Sequence, residues 1–125
     1  MAAEDAPFHA HIYYSEAERT AARKLRDDFV ASGDVLFVGR MTDRGIGPHP
    51  LPQYEVHFIE RSRSAIIAAI EASGLRALVH PLTHDDLADH TALAHWTGEP
   101  LELDVRVLDP PGLNQGVSRF GKSDF

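Results

Sequence analysis

His9 and His11 alternate along the run Phe8-His9-Ala10-His11-Ile12-Tyr13-Tyr14, and a period of two puts both imidazoles on one face of a strand. Further along, His49 sits in a Gly47-Pro48-His49-Pro50 turn, His80 closes an apolar run before Pro81, and His90 follows Asp89 in a helix-like stretch. The chain holds eight histidines and no cysteine. Imidazole without thiolate suits iron, zinc, copper or nickel, and it argues against a thiolate zinc site or an iron–sulfur cluster. The chemistry follows only if the histidines converge in space.

The elements that would bring them together are legible in the hydrophobic pattern. Residues 8–14 read as a first strand with Phe8, Ala10, Ile12 and Tyr14 toward the core and His9, His11 and Tyr13 opposite. Ser15 and Glu18 form a capping box for a helix carrying Ala21, Ala22, Leu25 and Phe29, which Ser32-Gly33-Asp34 stops. Val35 to Val38 is a short second strand, and the Gly- and Pro-rich run 43–52 is a loop. Gln53 to Ile59 alternates again, with Tyr54, Val56 and Phe58 on one side and Glu55 and His57 on the other. A second helix bears Ile66, Ile67 and Ile70 and ends at Gly74, and Leu75 to His80 is a fourth strand. The pattern then predicts a third helix opened by Thr83 and Asp86 and running to about Trp96. Leu101, Leu103, Val105 and Val107 predict a fifth strand, and residues 109–125 an extended tail.

The expected fold is α+β: a ferredoxin-like β-α-β-β-α-β sandwich with an appended helix and strand. It forms a single domain over 1–125, with its core at about 8–108. In that topology strands one and three are central antiparallel neighbours and strand four flanks strand one. His9, His11, Glu55 and His57 then share the open sheet face, and His80 arrives near the start of strand one. The His49 loop and the helix with His90 can roof that face, giving a concave metal site. Taken singly, each strand histidine reads more simply as a polar or half-buried residue. His57 rests on alternation alone, and His84 and His95 read as helix-surface positions.

A formal charge of −7 and a pI near 5.5 speak against nucleic acid or an anionic membrane as partner. Residues 1–7 lack the features of a signal peptide, and no apolar run is long enough to span a bilayer, so the expected setting is cytoplasmic. There is no H-E-x-x-H, P-loop or EF-hand pattern, and no G-x-S-x-G elbow behind a serine nucleophile.

Five segments in order resemble the small DOPA 4,5-dioxygenase family: His9-Ala10-His11-Ile12-Tyr13-Tyr14, Gly47-Pro48-His49-Pro50 with Tyr54-Glu55-Val56, His80-Pro81-Leu82-Thr83, Asp85 to Thr91, and Trp96 to Leu101 with Leu103-Asp104. The resemblance covers roughly residues 8–104. It implies an extradiol ring-cleaving dioxygenase acting on DOPA or a related catechol with non-haem iron(II) and dioxygen; another divalent metal such as zinc could occupy the site in a purified sample. The matching positions imply His11, His49 and His80 as metal ligands, with Glu55 the candidate carboxylate. His90 is the acid–base candidate with His9 in reserve, and no separate organic cofactor site is expected. Tyr13 and Trp96 are candidates to pack on the aromatic ring. A rival reading is a dimeric ferredoxin-like binding or sensor module that holds a small aromatic ligand without turnover; a second is a cofactor-free monooxygenase of the small dimeric α+β barrel kind. A homodimer is expected in each case, covering the open face.

Overall fold

The structure is a computed structural model, and it describes residues 3–122. One sheet of five strands carries the molecule: β1 (Pro7–Tyr13), β2 (Phe37–Val38), β3 (Gln53–Ile59), β4 (Arg76–Pro81) and β5 (His95–Thr97). Three α-helices accompany it: α1 (Arg19–Ala31), α2 (Arg63–Ser73) and α3 (Asp86–His90). The strand order is β2-β3-β1-β4-β5 and every pairing is antiparallel. The first four strands therefore have the ferredoxin-like arrangement, with β5 added beyond β4.

The period-two pattern of β1 divides the molecule. Ala10, Ile12 and Tyr14 point into an apolar layer with Val56 and Phe58 of β3, closed by Leu25 and Phe29 of α1 and Ile66 and Ile70 of α2. Burial of this layer supplies the main drive for folding. The opposite face carries His9, His11 and Tyr13. The register sets His9 against His57 and His80, and His11 against Glu55. A one-residue slip would exchange the two faces, so the core itself fixes where the histidines point.

Local signals sit at the helix ends. The reciprocal Ser15–Glu18 bonds form, Glu18 N–H to Ser15 Oγ at 3.3 Å and Ser15 N–H to Glu18 Oε1 at 3.0 Å, but they close a turn ahead of α1, which begins at Arg19 with no side-chain bond at its cap Glu18. Gly74 ends α2 in the left-handed region at φ 76°.

Three expectations after β4 need correction. The third helix stops at His90 instead of running to Trp96, and its cap is Asp85, whose side chain accepts from Ala88 N–H at 3.0 Å. Thr83, expected to open it, instead donates through Oγ1 and N–H to Asp89 at 2.6 and 2.8 Å. The fifth strand is His95–Thr97, not 101–107; the latter run is irregular, with a 3₁₀ turn at Val105–Val107. Its apolar alternation buries no face, since Val105 and Val107 are exposed. Nor is the tail extended throughout. Residues 109–122 fold back as a strap with a 3₁₀ turn at Gln115–Arg119; the tail's last residues, 123–125, lie outside the described ones.

Candidate metal centre

Each histidine of the sheet face is placed by a different element. β1 presents His9 and His11, β4 presents His80 and β3 presents His57. His49 arrives on the loop before β3, where Ile46 and His49 exchange backbone hydrogen bonds at 3.1 and 3.0 Å around Gly47 at φ 57°. A Cβ on Gly45 would approach His49 O to 2.9 Å, so this turn closes only over glycine. His90 is the last residue of α3. All six are buried, His57 completely and His90 least. His84 and His95 are exposed, in accord with the sequence reading, although His95 lies on β5 and not on a helix.

Two overlapping groups of histidine donors have all their candidate ligand atoms within 4.8 Å of one another: His11, His49 and His90, and His9, His11 and His80. His11 belongs to both. Their tautomers follow from the hydrogen bonds at the far ring nitrogens. His11 Nδ1 donates to Gln53 Oε1 at 3.0 Å, and His80 Nδ1 donates to Pro81 O at 2.8 Å. His90 Nδ1 donates to Asp86 O at 2.8 Å, with the Asp86 carboxylate 3.3 Å away. Each neutral ring therefore turns an Nε2 lone pair inward. His11 Nε2 and His80 Nε2 meet at 3.0 Å. Two lone pairs at that distance repel unless a cation or proton lies against both. His9 Nε2 is also buried without a hydrogen-bond partner among the described residues. Inward lone pairs, fixed tautomers and an orphaned nitrogen are what a divalent transition metal requires, and the donor set fits one.

Electrostatics agree. Burial holds His9, His11, His49 and His80 well below the ordinary imidazole pKa, and the neighbouring histidines lower each further. All four are neutral imidazoles. His90 differs. Burial opposes its charge, but its bonds to Asp86 outweigh burial and raise its pKa. Tyr13 O–H lies 2.6 Å from His49 Nδ1, and burial raises the Tyr13 pKa, so it remains a neutral phenol. Tyr13 and Trp96, expected near a substrate ring, stack on each other at 6.0 Å.

Glu55 is not brought into either group. Although β-register sets it opposite His11, its carboxylate lies 3.5 Å from His57 Nε2, in a third group with His9 and His57. That group is a poor site for one ion. The His9 and His57 rings stack at 3.8 Å and 16°, so an ion in the plane of one ring is out of the plane of the other. Gly121 N–H donates to His57 Nδ1 at 2.9 Å, which leaves the His57 proton on Nε2, toward Glu55. Sequence reasoning left His57 undecided; the structure makes it a buried wall of the site.

A pocket of about 170 Å³ opens onto His11, His49, His80 and His90. Its outer rim comes from the strap, through Asp109, Asn114 and Arg119. Asn114 ties the strap down by donating to Thr83 O at 2.7 Å and Asp89 Oδ2 at 3.1 Å. Asp109 N–H donates to Asp86 Oδ2 at 2.9 Å. Phe120 stacks on His57 at 5.8 Å. No periodicity in the tail announces these contacts; only its aromatic and amide residues hint at them.

The DOPA 4,5-dioxygenase of Amanita muscaria is 31% identical to this chain over 130 residues, an alignment covering 89% of the chain and 57% of that protein. An uncharacterised 21.2 kDa protein of Botryotinia fuckeliana is 33% identical over 114 residues, covering 81% of this chain and 62% of its own length. This chain thus spans only about three fifths of these two relatives. The crystal structure of a protein described as a putative dioxygenase from Nostoc punctiforme superposes with a TM-score of 0.76 at 36% identity, over 83% of this chain and 91% of that one. Residues 8–107 match the Dopa 4,5-dioxygenase family as a whole. On that match, and on the fold shared with the Nostoc protein, this chain belongs to the Dopa 4,5-dioxygenase family.

Proposed function

We propose that this protein is an extradiol ring-cleaving dioxygenase that acts on DOPA or a related catechol with non-haem iron(II) and dioxygen. The single observation that carries the reading is the opposed pair of Nε2 lone pairs on His11 and His80, 3.0 Å apart at the floor of a pocket. Family membership supplies the reaction class. His11, His49 and His80 hold the metal in this reading. The set is nitrogen-only, which departs from the expected three histidines with Glu55 as carboxylate, because the Glu55 carboxylate lies 3.5 Å from His57 Nε2. Iron(II) held by these residues would supply Lewis acidity toward the catechol and activation of dioxygen.

The chain's own residues do the rest. His90 is the proton carrier: Asp86 raises its pKa, so the ring can take a catechol proton at Nε2 and return it to the opened product. Gln53, Pro81 O and Asp86 hold three rings in one tautomer throughout. The loop at His49, α3 and the strap keep bulk water from the floor of the pocket. They also cover the histidine face within one chain, so a homodimer would have to form on another surface.

Product analysis tests the reading. Iron-loaded protein given L-DOPA under ¹⁸O₂ should yield a ring-opened product whose new carboxylate carries labelled oxygen, as read by mass spectrometry. A quinone, or no labelled product, would sink it.

A further inference from the structure

Of the three histidines assigned to the metal, His11 and His80 stand on strands, whereas His49 rides on the Gly- and Pro-rich loop 43–52. The base of that loop is cinched. Thr42 N–H donates to Gln53 O at 3.0 Å, Gln53 N–H to Thr42 Oγ1 at 3.2 Å, and Tyr14 N–H to Pro52 O at 3.1 Å. The Tyr14 hydroxyl donates to Asp43 Oδ1 at 2.7 Å and accepts from Asp43 N–H at 3.0 Å. Arg19, the first residue of α1, grips the same carboxylate with two parallel bonds, each 2.9 Å. Glycines apart, Asp43 is the lone described residue with a positive φ, 56°. Aspartate tolerates that region better than most side chains, but a residue persists there only where its surroundings hold it.

We propose that Asp43, gripped by Arg19 and Tyr14, is a positioning residue that sets His49 over the metal centre from the far side of the sheet. The inference rests on the reading of His49 as a metal ligand and adds to it the group that fixes the ligand's loop. Tyr13 ends β1 and Tyr14 follows it, so their side chains leave on opposite faces. Tyr13 meets His49 Nδ1 at 2.6 Å, while Tyr14 lies in the apolar layer and meets Asp43. One strand end therefore holds the loop both at its first residue and at its ligand. The Arg19 and Asp43 side chains are 39% and 49% exposed, and an ion pair so placed adds little to global stability. What the two-pronged bond does supply is a fixed geometry. Bonds from Arg19 and Tyr14 lower the Asp43 pKa to about 2, so the grip persists at every pH at which neutral imidazoles bind a metal.

The test reads cobalt(II) affinity instead of turnover. Dissociation constants are measured on the metal-free full chain for the wild type, Asp43→Asn, Tyr14→Phe, His49→Ala and the double variant Asp43→Asn/His49→Ala. Asparagine accepts the left-handed backbone and phenylalanine fills the space of Tyr14, so both variants keep the fold, which circular dichroism checks. Asp43→Asn and Tyr14→Phe should each weaken binding about tenfold, the lower end of what residues that orient a metal ligand contribute. In the His49→Ala background, Asp43→Asn should weaken it no further, because the ligand that Asp43 places is gone. Unchanged affinity in Asp43→Asn, or the same loss with and without His49, would overturn the positioning role and leave the metal site standing. Wild-type affinity in His49→Ala would remove His49 from the site and this inference with it. Failure of the wild type to bind cobalt(II) would overturn the metal reading itself.

Discussion

His11 Nε2 and His80 Nε2 lie 3.0 Å apart with no proton between them, because each ring spends its hydrogen on a fixed acceptor behind it. The pair is diagonal across β1 and β4: His9, not His11, is directly opposite His80. An ion against both nitrogens relieves the repulsion. Metal removal should therefore lower thermal stability. A ligand at 100 times its dissociation constant adds about 2.7 kcal/mol, which for a chain of this size is several degrees of Tm. Calorimetry with and without a chelator measures it, and identical melting curves would count against a metal here.

The acid side of stability should reflect the same histidines. Burial holds the folded pKa values of His9, His11, His49 and His80 below the ordinary imidazole value of about 6.5. On unfolding they gain protons once the pH drops below 6.5, so the metal-free protein loses stability as pH falls through that range. Their contribution is fully present above pH 6.5. Each ring adds a slope of at most about 1.4 kcal/mol per pH unit. Urea denaturation between about pH 5 and 7.5 should show a decline steeper than one histidine can give, and a flat profile would contradict the burial argument.

His90 has the opposite sign. Its raised pKa comes from Asp86, so Asp86→Asn should lower it. If neutral His90 takes the catechol proton, the rising limb of the kcat/KM profile moves to lower pH in that variant. The proton carrier is then weaker, and the plateau should fall by roughly 10–100-fold, within the range of acid–base catalysis. A lower plateau with an unmoved limb would assign Asp86 a structural role only.

Asn114→Ala should destabilise the protein by about 1–3 kcal/mol, since it leaves the buried Asp89 carboxylate short of a donor. Hydrogen exchange should rise most at Gly121, whose amide bonds to His57, because the strap loses its anchor. Uniform exchange across the sheet instead would mean that the strap and sheet open together.

The sequence-level reading succeeded where one period governed both burial and chemistry. Alternation in β1 and β3 sorted Ala10, Ile12, Val56 and Phe58 from His9, His11, Glu55 and His57, and Gly74 bounded α2. It failed where side chains choose among neighbours. Nothing in the spacing says that the Glu55 carboxylate lies 3.5 Å from His57 Nε2. After β4, Leu101 to Val107 alternates as a strand would, but β5 already holds the β4 edge through Ala77, Leu78 and Val79. Arg119 and Asn114 reach the pocket only because the strap doubles back, a long-range event without a local signal.

Oxygen uptake by wild type and His11→Ala, each reconstituted anaerobically with iron(II) and then given L-DOPA in air, tests the central claim most directly. The account predicts rapid uptake by the wild type that requires iron, with the loss of nearly all activity and of bound iron in His11→Ala. Iron-independent uptake, or a His11→Ala variant that retains iron and turnover, would contradict it.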